Sequence, residues 1–166
     1  MTFAQIPAGA TVFLDANTLV YHFTNDPQYG AACTDLIKRI ELHQVHGFTS
    51  AHVLADVSHR LMTLEAMARL TWQPTRLAAR LRKHHDEIPK LQIYLQAIAR
   101  IPQLGIQGLP ITHTQVEAAT VLSQKHELLT GDALIVAVMN ANGLNNLASA
   151  DDDFDRVPGI TRYAPA

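Results

Sequence analysis

Apolar positions along the chain fall into short runs and helical stripes separated by turn-forming residues. Val12-Phe13-Leu14 is a continuous apolar run ending at Asp15, the pattern of a buried strand. Cys33, Leu36, Ile37 and Ile40 then follow at helical spacing, with Gly47 as the expected stop. Phe48-Thr49-Ser50 reads as a brief extended piece, with Ser50 able to cap the next helix. In that helix Leu54, Val57, Leu61, Leu64 and Ala68 form one apolar stripe, while His52, Asp56, Arg60 and Thr63 fall on another face.

Pro74, Pro89 and Pro102 punctuate the middle of the chain and predict two helices, near 75–87 and 90–101. Leu109-Pro110-Ile111 suggests a short strand. Thr112 with Gln115, or Thr114 with Glu117, then offers a capping box for a helix running to about His126. Leu134, Ile135, Val138 and Met139 form another buried helical face after Thr130-Gly131-Asp132, closed by Gly143. Leu147-Ala148-Ser149 reads as a final short strand running into Asp151-Asp152-Asp153. Short apolar strands alternating with helices predict an α/β fold with a mainly parallel sheet covered on both faces.

Composition narrows the classes. Over 166 residues, 48% are hydrophobic and 17% charged, which excludes a largely disordered chain. No apolar run approaches the roughly 20 residues that span a bilayer. The N-terminus lacks the pattern of a signal peptide, and the lone Cys33 can form no internal disulfide. A soluble, cytoplasmic protein of one domain (1–166), with no membrane association, is therefore expected. The net charge of −2 argues against nonspecific coating of nucleic acid. It leaves open an enzyme that meets a phosphate through metal ions held by acids.

Asp15 and Asp151 both stand where a strand should end, the side of a parallel sheet on which ligands gather. Asp56 lies on a helix and Asp132 opens one. Each has an ordinary explanation alone. Asp132 suits a helix N-terminus, Asp151 a solvated turn, and Asp56 a weak surface pair with Arg60. Asp15 is harder to dismiss, because an acid ending a buried strand needs a partner or a task. Together the acids would repel one another, a penalty that a hard cation preferring oxygen ligands removes. The nine histidines form no tight ligand cluster. His52 and His59 can share a helix face, but helical histidines are mostly structural, so zinc is not expected. No phosphate-binding glycine loop, dinucleotide turn or nucleophile elbow is present, and Cys33 falls on an apolar stripe.

Four ordered segments resemble the PIN-domain family, and specifically toxin ribonucleases of the VapC type. They are Phe13 through Tyr21 with its Asp-x-Asn at Asp15 and Asn17, Ser50 through Met62 with an acid on the helix, Gly131 through Ala137 with Asp-Ala-Leu, and Leu147 through Phe154 with [ST]-x-D-x-x-F. The resemblance implies a three-layer PIN-like fold and metal-dependent hydrolysis of RNA, with Mg²⁺ or Mn²⁺ as cofactor. It makes Asp15, Asp56, Asp132 and Asp151 the metal-binding acids, supported by Asn17, Thr18 and Ser149. Asp153 is a reserve ligand, and the choice among Asp151, Asp152 and Asp153 stays open. The family commonly has Glu where this chain has Asp56, one methylene shorter, which puts direct ligation by Asp56 in question. Arg60, Arg69, Arg76, Arg80, Arg82 and Lys83 form a basic series for RNA, or simply a solvated helix surface. The resemblance also implies an antitoxin partner and a homodimer. Two alternatives stand beside it. One is a noncatalytic PIN-fold binding module. The other is a phosphotransfer enzyme of the haloacid-dehalogenase type, which would need an Asp where Asn17 stands.

Overall fold

A five-stranded, wholly parallel sheet carries the molecule, with strand order β3-β2-β1-β4-β5. The computed structural model describes residues 1–166. The strands are β1 (Thr11–Leu14), β2 (His46–Ser50), β3 (Gln107–Leu109), β4 (Asn146–Ala148) and β5 (Thr161–Tyr163). The helices are α1 (Ala16–Thr24), α2 (Gly30–Glu41), α3 (Ala51–Arg69), α4 (Leu77–Lys83), α5 (Ile93–Arg100), α6 (His113–His126) and α7 (Thr130–Ala141). β1 is central: Phe13 pairs with Phe48 of β2 on one side and Leu147 of β4 on the other. Val12, Phe13 and Leu14 are all fully buried. A parallel strand covered on both faces has no solvated side, so a continuous apolar run suits it better than alternation.

From β1 the chain steps outward through β2 to β3, then crosses back over β1 to β4 and β5. Right-handed crossovers put the helices of the two excursions on opposite faces, giving three layers. The order reverses between β1 and β4, so the carboxyl ends of those two strands flank the switch point where such sheets bind ligands. The main core holds 35 buried residues, including Phe13, Leu61, Met139 and Phe154.

Several local expectations hold. Ser50 caps α3 by accepting from the Val53 N–H at 3.3 Å. Thr112 and Gln115 form the capping box of α6, which ends at His126. Gly143 takes a left-handed φ of 65° just past α7.

Others need correction. Gly47 does not stop α2, which ends at Glu41. It lies buried in β2, where a Cβ would come 2.8 Å from Ile40 Cδ1. The helices expected at 75–87 and 90–101 are shorter. α4 gives way at Lys83 to a 3-10 segment, His85–Lys90, that contains Pro89. α5 starts only at Ile93, where Glu65 of α3 accepts the Gln92 and Ile93 N–H groups, a tertiary cap that local spacing does not encode. β3 sits two residues earlier than expected and ends at Leu109, since Pro110 has no N–H for a ladder. The strand expected at 147–149 is β4, one residue earlier, and it is not the last. β5 follows it, pairing Leu147 with Arg162. α1 was not anticipated at all.

Candidate metal centre

Asp15 follows β1 directly and caps α1, its Oδ1 accepting the Ala16 N–H at 2.6 Å. Its other oxygen accepts the Ser149 hydroxyl at 2.8 Å and the Asn17 amide at 3.2 Å. Only 7% of the residue is exposed. Burial pushes its carboxyl up from the ordinary value, against the pull of those hydrogen bonds and of the Arg60 charge. Its backbone N–H extends the β1–β4 ladder to the Ala148 carbonyl at 3.1 Å. Thr18 donates to that same carbonyl at 2.9 Å. Thr18 therefore pins α1 to the end of β4 rather than touching the acid.

Ser149, fully buried just after β4, ties two acids together. It donates to Asp15 and accepts the Asp151 backbone N–H at 3.0 Å. Asp151 in turn caps the 3-10 turn Asp152–Arg156, its Oδ1 accepting the Asp153 N–H at 2.9 Å. Carboxylate oxygens of Asp151, Asp152 and Asp153 lie within 4.8 Å of one another, but their surroundings differ. Asp152 is exposed. Asp153 pairs with Arg156. Only Asp151 is linked through Ser149 to Asp15.

Asp132 stands in the first turn of α7. Its carboxyl is raised to about 6, chiefly by burial, with Asp151, Asp15, Asp153 and Asp56 each contributing in the same direction. That mutual influence brings all the expected acids into one electrostatic site. Asp15, Asp56 and Asp132 line a cleft of about 260 Å³ together with His52, Ala16, Val53, Leu129, Gly131 and Ile135. Asp56 lies 3.8 Å from the Arg60 guanidinium, the surface pair its spacing suggested. It is thus both paired and part of the cleft. Arg60 also donates to Asn17 Oδ1 at 2.6 Å, so Asn17 relays between Arg60 and Asp15.

The rest of the basic series lies elsewhere. Arg69 donates to the Lys90 carbonyl. Arg76, Arg80, Arg82 and Lys83 begin and build α4, whose Leu81 packs with Ala66 of α3. Ala66 is ten residues beyond Asp56, about 15 Å along the helix at 1.5 Å per residue. Arg60 alone of the series meets the acids.

Three features of the site depend on contacts between distant parts of the chain. His52 lines the cleft, although its spacing from His59 had marked both as ordinary helical histidines. Its position one turn before Asp56 was the available signal. Arg60 binds Asn17, a contact across two helices. Arg162 holds Asp155 at 2.8 and 2.7 Å and reaches the Ser149 carbonyl at 3.3 Å, bracing the end of β4 from the unforeseen β5. Cys33 is fully buried, and its thiol is pushed up to about 12, so it is no nucleophile.

Crowded carboxylates with one partial counter-charge are a donor set for a hard divalent cation with oxygen ligands, whose charge would lower Asp132 again. Residues 12–160 match the PIN domain, and the chain belongs to the PIN domain family. It is similar to Ribonuclease VapC2 of Methanocaldococcus jannaschii, 27% identical over 146 residues, which is 88% of either chain. VapBC2 from Rickettsia felis, bound to a DNA fragment from its promoter, superposes with a TM-score of 0.58 at 14% identity. The match covers 93% of this chain and 98% of the other. VapC20 of Mycobacterium tuberculosis, a sarcin-ricin-loop-cleaving toxin, gives 0.56 at 20% identity, over 87% and 92%. At these identities the structural likeness speaks for the fold. No helix is long and apolar enough to cross a membrane.

Proposed function

We propose that this protein is a metal-dependent ribonuclease, the toxin of a toxin–antitoxin pair, with residues 1–166 forming one PIN domain. The observation that carries the reading is the convergence of Asp15, Asp56, Asp132 and Asp151 beyond the carboxyl ends of β1 and β4, where burial first and then the neighbouring acids hold Asp132 at about 6. Family membership and the likeness to a VapC ribonuclease support it.

Asp15, Asp132 and Asp151 would hold Mg²⁺ or Mn²⁺. Asp56 adds charge from the facing helix, directly or through a water, and Asp153 stays with Arg156. A bound divalent ion supplies Lewis acidity to a phosphate and eases deprotonation of water. In the reaction a water oxygen forms a bond to phosphorus, one P–O ester bond breaks, and the leaving oxygen takes up a proton. The protein's own part is orientation. Ser149 and Asn17 fix Asp15, and Thr18 fixes the strand end beneath it. Arg60 offers a cation beside the cleft for the RNA backbone, with Arg69, Arg76, Arg80, Arg82 and Lys83 as a more distant track. An antitoxin partner and a homodimer follow from the same reading.

Purified protein incubated with total RNA and Mn²⁺ should generate discrete new ends. Asp15→Asn should lower that cleavage by about three orders of magnitude, a loss in the range of removing a principal electrostatic group. A folded Asp15→Asn protein that cleaves at the wild-type rate, or Mn²⁺ binding without any cleavage, would overturn the assignment. The second result would leave a noncatalytic PIN module.

A further inference from the structure

The polar side chains that line the cleft between β1, α3 and α7 are acceptors with one exception. Asp15, Asp56 and Asp132 supply its carboxylates, and apart from His52 the rest of the lining is aliphatic or glycine. An ionised carboxylate accepts hydrogen bonds and cannot donate one, whereas imidazole carries at least one N–H in every protonation state found in proteins. The non-bridging oxygens of a phosphodiester are acceptors only. His52 is therefore the one side chain lining this cleft that can always donate a hydrogen bond to a phosphate there.

The fold places it for that task. His52 is in the first turn of α3 and four residues before Asp56, so the two project from the same helix face. Across the cleft, the missing side chain of Gly131 makes room for it: a Cβ there would stand 3.3 Å from His52 Nε2. The imidazole is half-buried at the cleft wall rather than packed in the core.

We infer that His52 is a substrate-binding residue of this site, its imidazole N–H donating to a non-bridging phosphate oxygen of the RNA. It would supply the attraction that the surrounding carboxylates cannot. The inference rests on the ribonuclease reading above. It requires neither that His52 ligates the metal nor that it changes protonation state.

The test uses the full chain, Mn²⁺ and an RNA oligonucleotide containing a mapped cleavage position. His52→Ala should raise KM about tenfold, the loss of one hydrogen bond to a charged group. Its thermal midpoint and its Mn²⁺ affinity by calorimetry should match wild type. His52→Gln, which keeps an N–H at similar reach, should recover most of the loss. Should His52→Ala not fold, His52→Leu keeps the volume without the donor and takes its place. Wild-type KM in the donorless variant overturns the inference, as does equal impairment of the donorless and Gln variants. A loss of Mn²⁺ affinity also overturns it, since the imidazole would then serve the metal. A wild-type protein that cleaves no RNA with Mn²⁺ overturns the ribonuclease reading and this inference together. Cleavage by wild type with no effect at His52 overturns this inference alone.

Discussion

The two ends of α3 differ in what holds them and in what they carry. Its first turns, capped by Ser50, present His52 and Asp56 to the cleft, while Val53, Val57 and Leu61 of the same stretch belong to the 35-residue core. Its last turn rests on a satellite cluster of three buried residues, Ala66, Leu81 and Leu91, with Met62, Trp72 and Ile88 packed against it. Left-handed backbone at Thr71 and Arg76, neither of them glycine, flanks the turn into α4, at about 1 kcal/mol each. The acids sit where packing over-determines the backbone, which preorganisation of a charged site demands. Most of the basic residues sit where few contacts constrain the chain.

The sharpest way to break that contrast is to open a cavity at each end. Leu61→Ala should cost about 3–4 kcal/mol by urea unfolding, and Leu81→Ala about 2 kcal/mol, because a small cluster collapses more readily around a void. Leu81→Ala should also keep Mn²⁺ binding intact. Equal losses, or loss of metal binding from the satellite site, would show that the two ends act as one unit.

A smaller effect sharpens the electrostatic half. Because the folded protein raises Asp132 to about 6 from an ordinary 3.8, folding favours its protonated form. Its contribution to stability is present below the ordinary value and is lost as pH rises through about 6. In metal-free buffer Asp132→Asn should therefore match wild type near pH 3.5. Above pH 6 it should be more stable by about 1–2 kcal/mol, a figure reduced for the solvent reaching a half-buried group. Thermal unfolding across pH checks this, and a gap that does not depend on pH would contradict it.

The smallest expected effects concern the basic series. Arg60→Gln, beside Asn17 and Asp56, should raise KM for RNA by several-fold and weaken its salt dependence. Arg82→Gln with Lys83→Gln, on exposed α4, should change KM by no more than about twofold, as for screened surface charges. The reverse ranking would move the RNA path to the far end of α3.

Much of this was legible in the sequence where local chemistry and tertiary role coincide. Val12-Phe13-Leu14-Asp15 reads as a buried strand ending in an acid, because no other element explains that run. Ser50 and the Thr112–Gln115 box declare helix starts through hydrogen bonds made within three residues. What stayed hidden depends on distant partners. β5 is three residues long and exists by pairing with β4. α5 begins where Glu65 caps it, and Gly47 is a strand glycine because Ile40 fills the space a side chain would need. At the site, Asp15 and Asp132 could be singled out by position. The family resemblance favours Asp151 but leaves its run open; the Ser149 bridge and the Arg156 pair, which set it apart from Asp152 and Asp153, are products of the fold.

The central claim is that the acids share one site whose mutual repulsion a divalent ion relieves. The most direct measurement is the carboxyl titration of Asp132 by ¹³C NMR, assigned against Asp132→Asn, without metal and with saturating Mg²⁺. The account predicts a midpoint of about 6 without metal and one well below the ordinary carboxylate range with Mg²⁺. A midpoint near the ordinary value in metal-free buffer, or one that Mg²⁺ leaves in place, would contradict it.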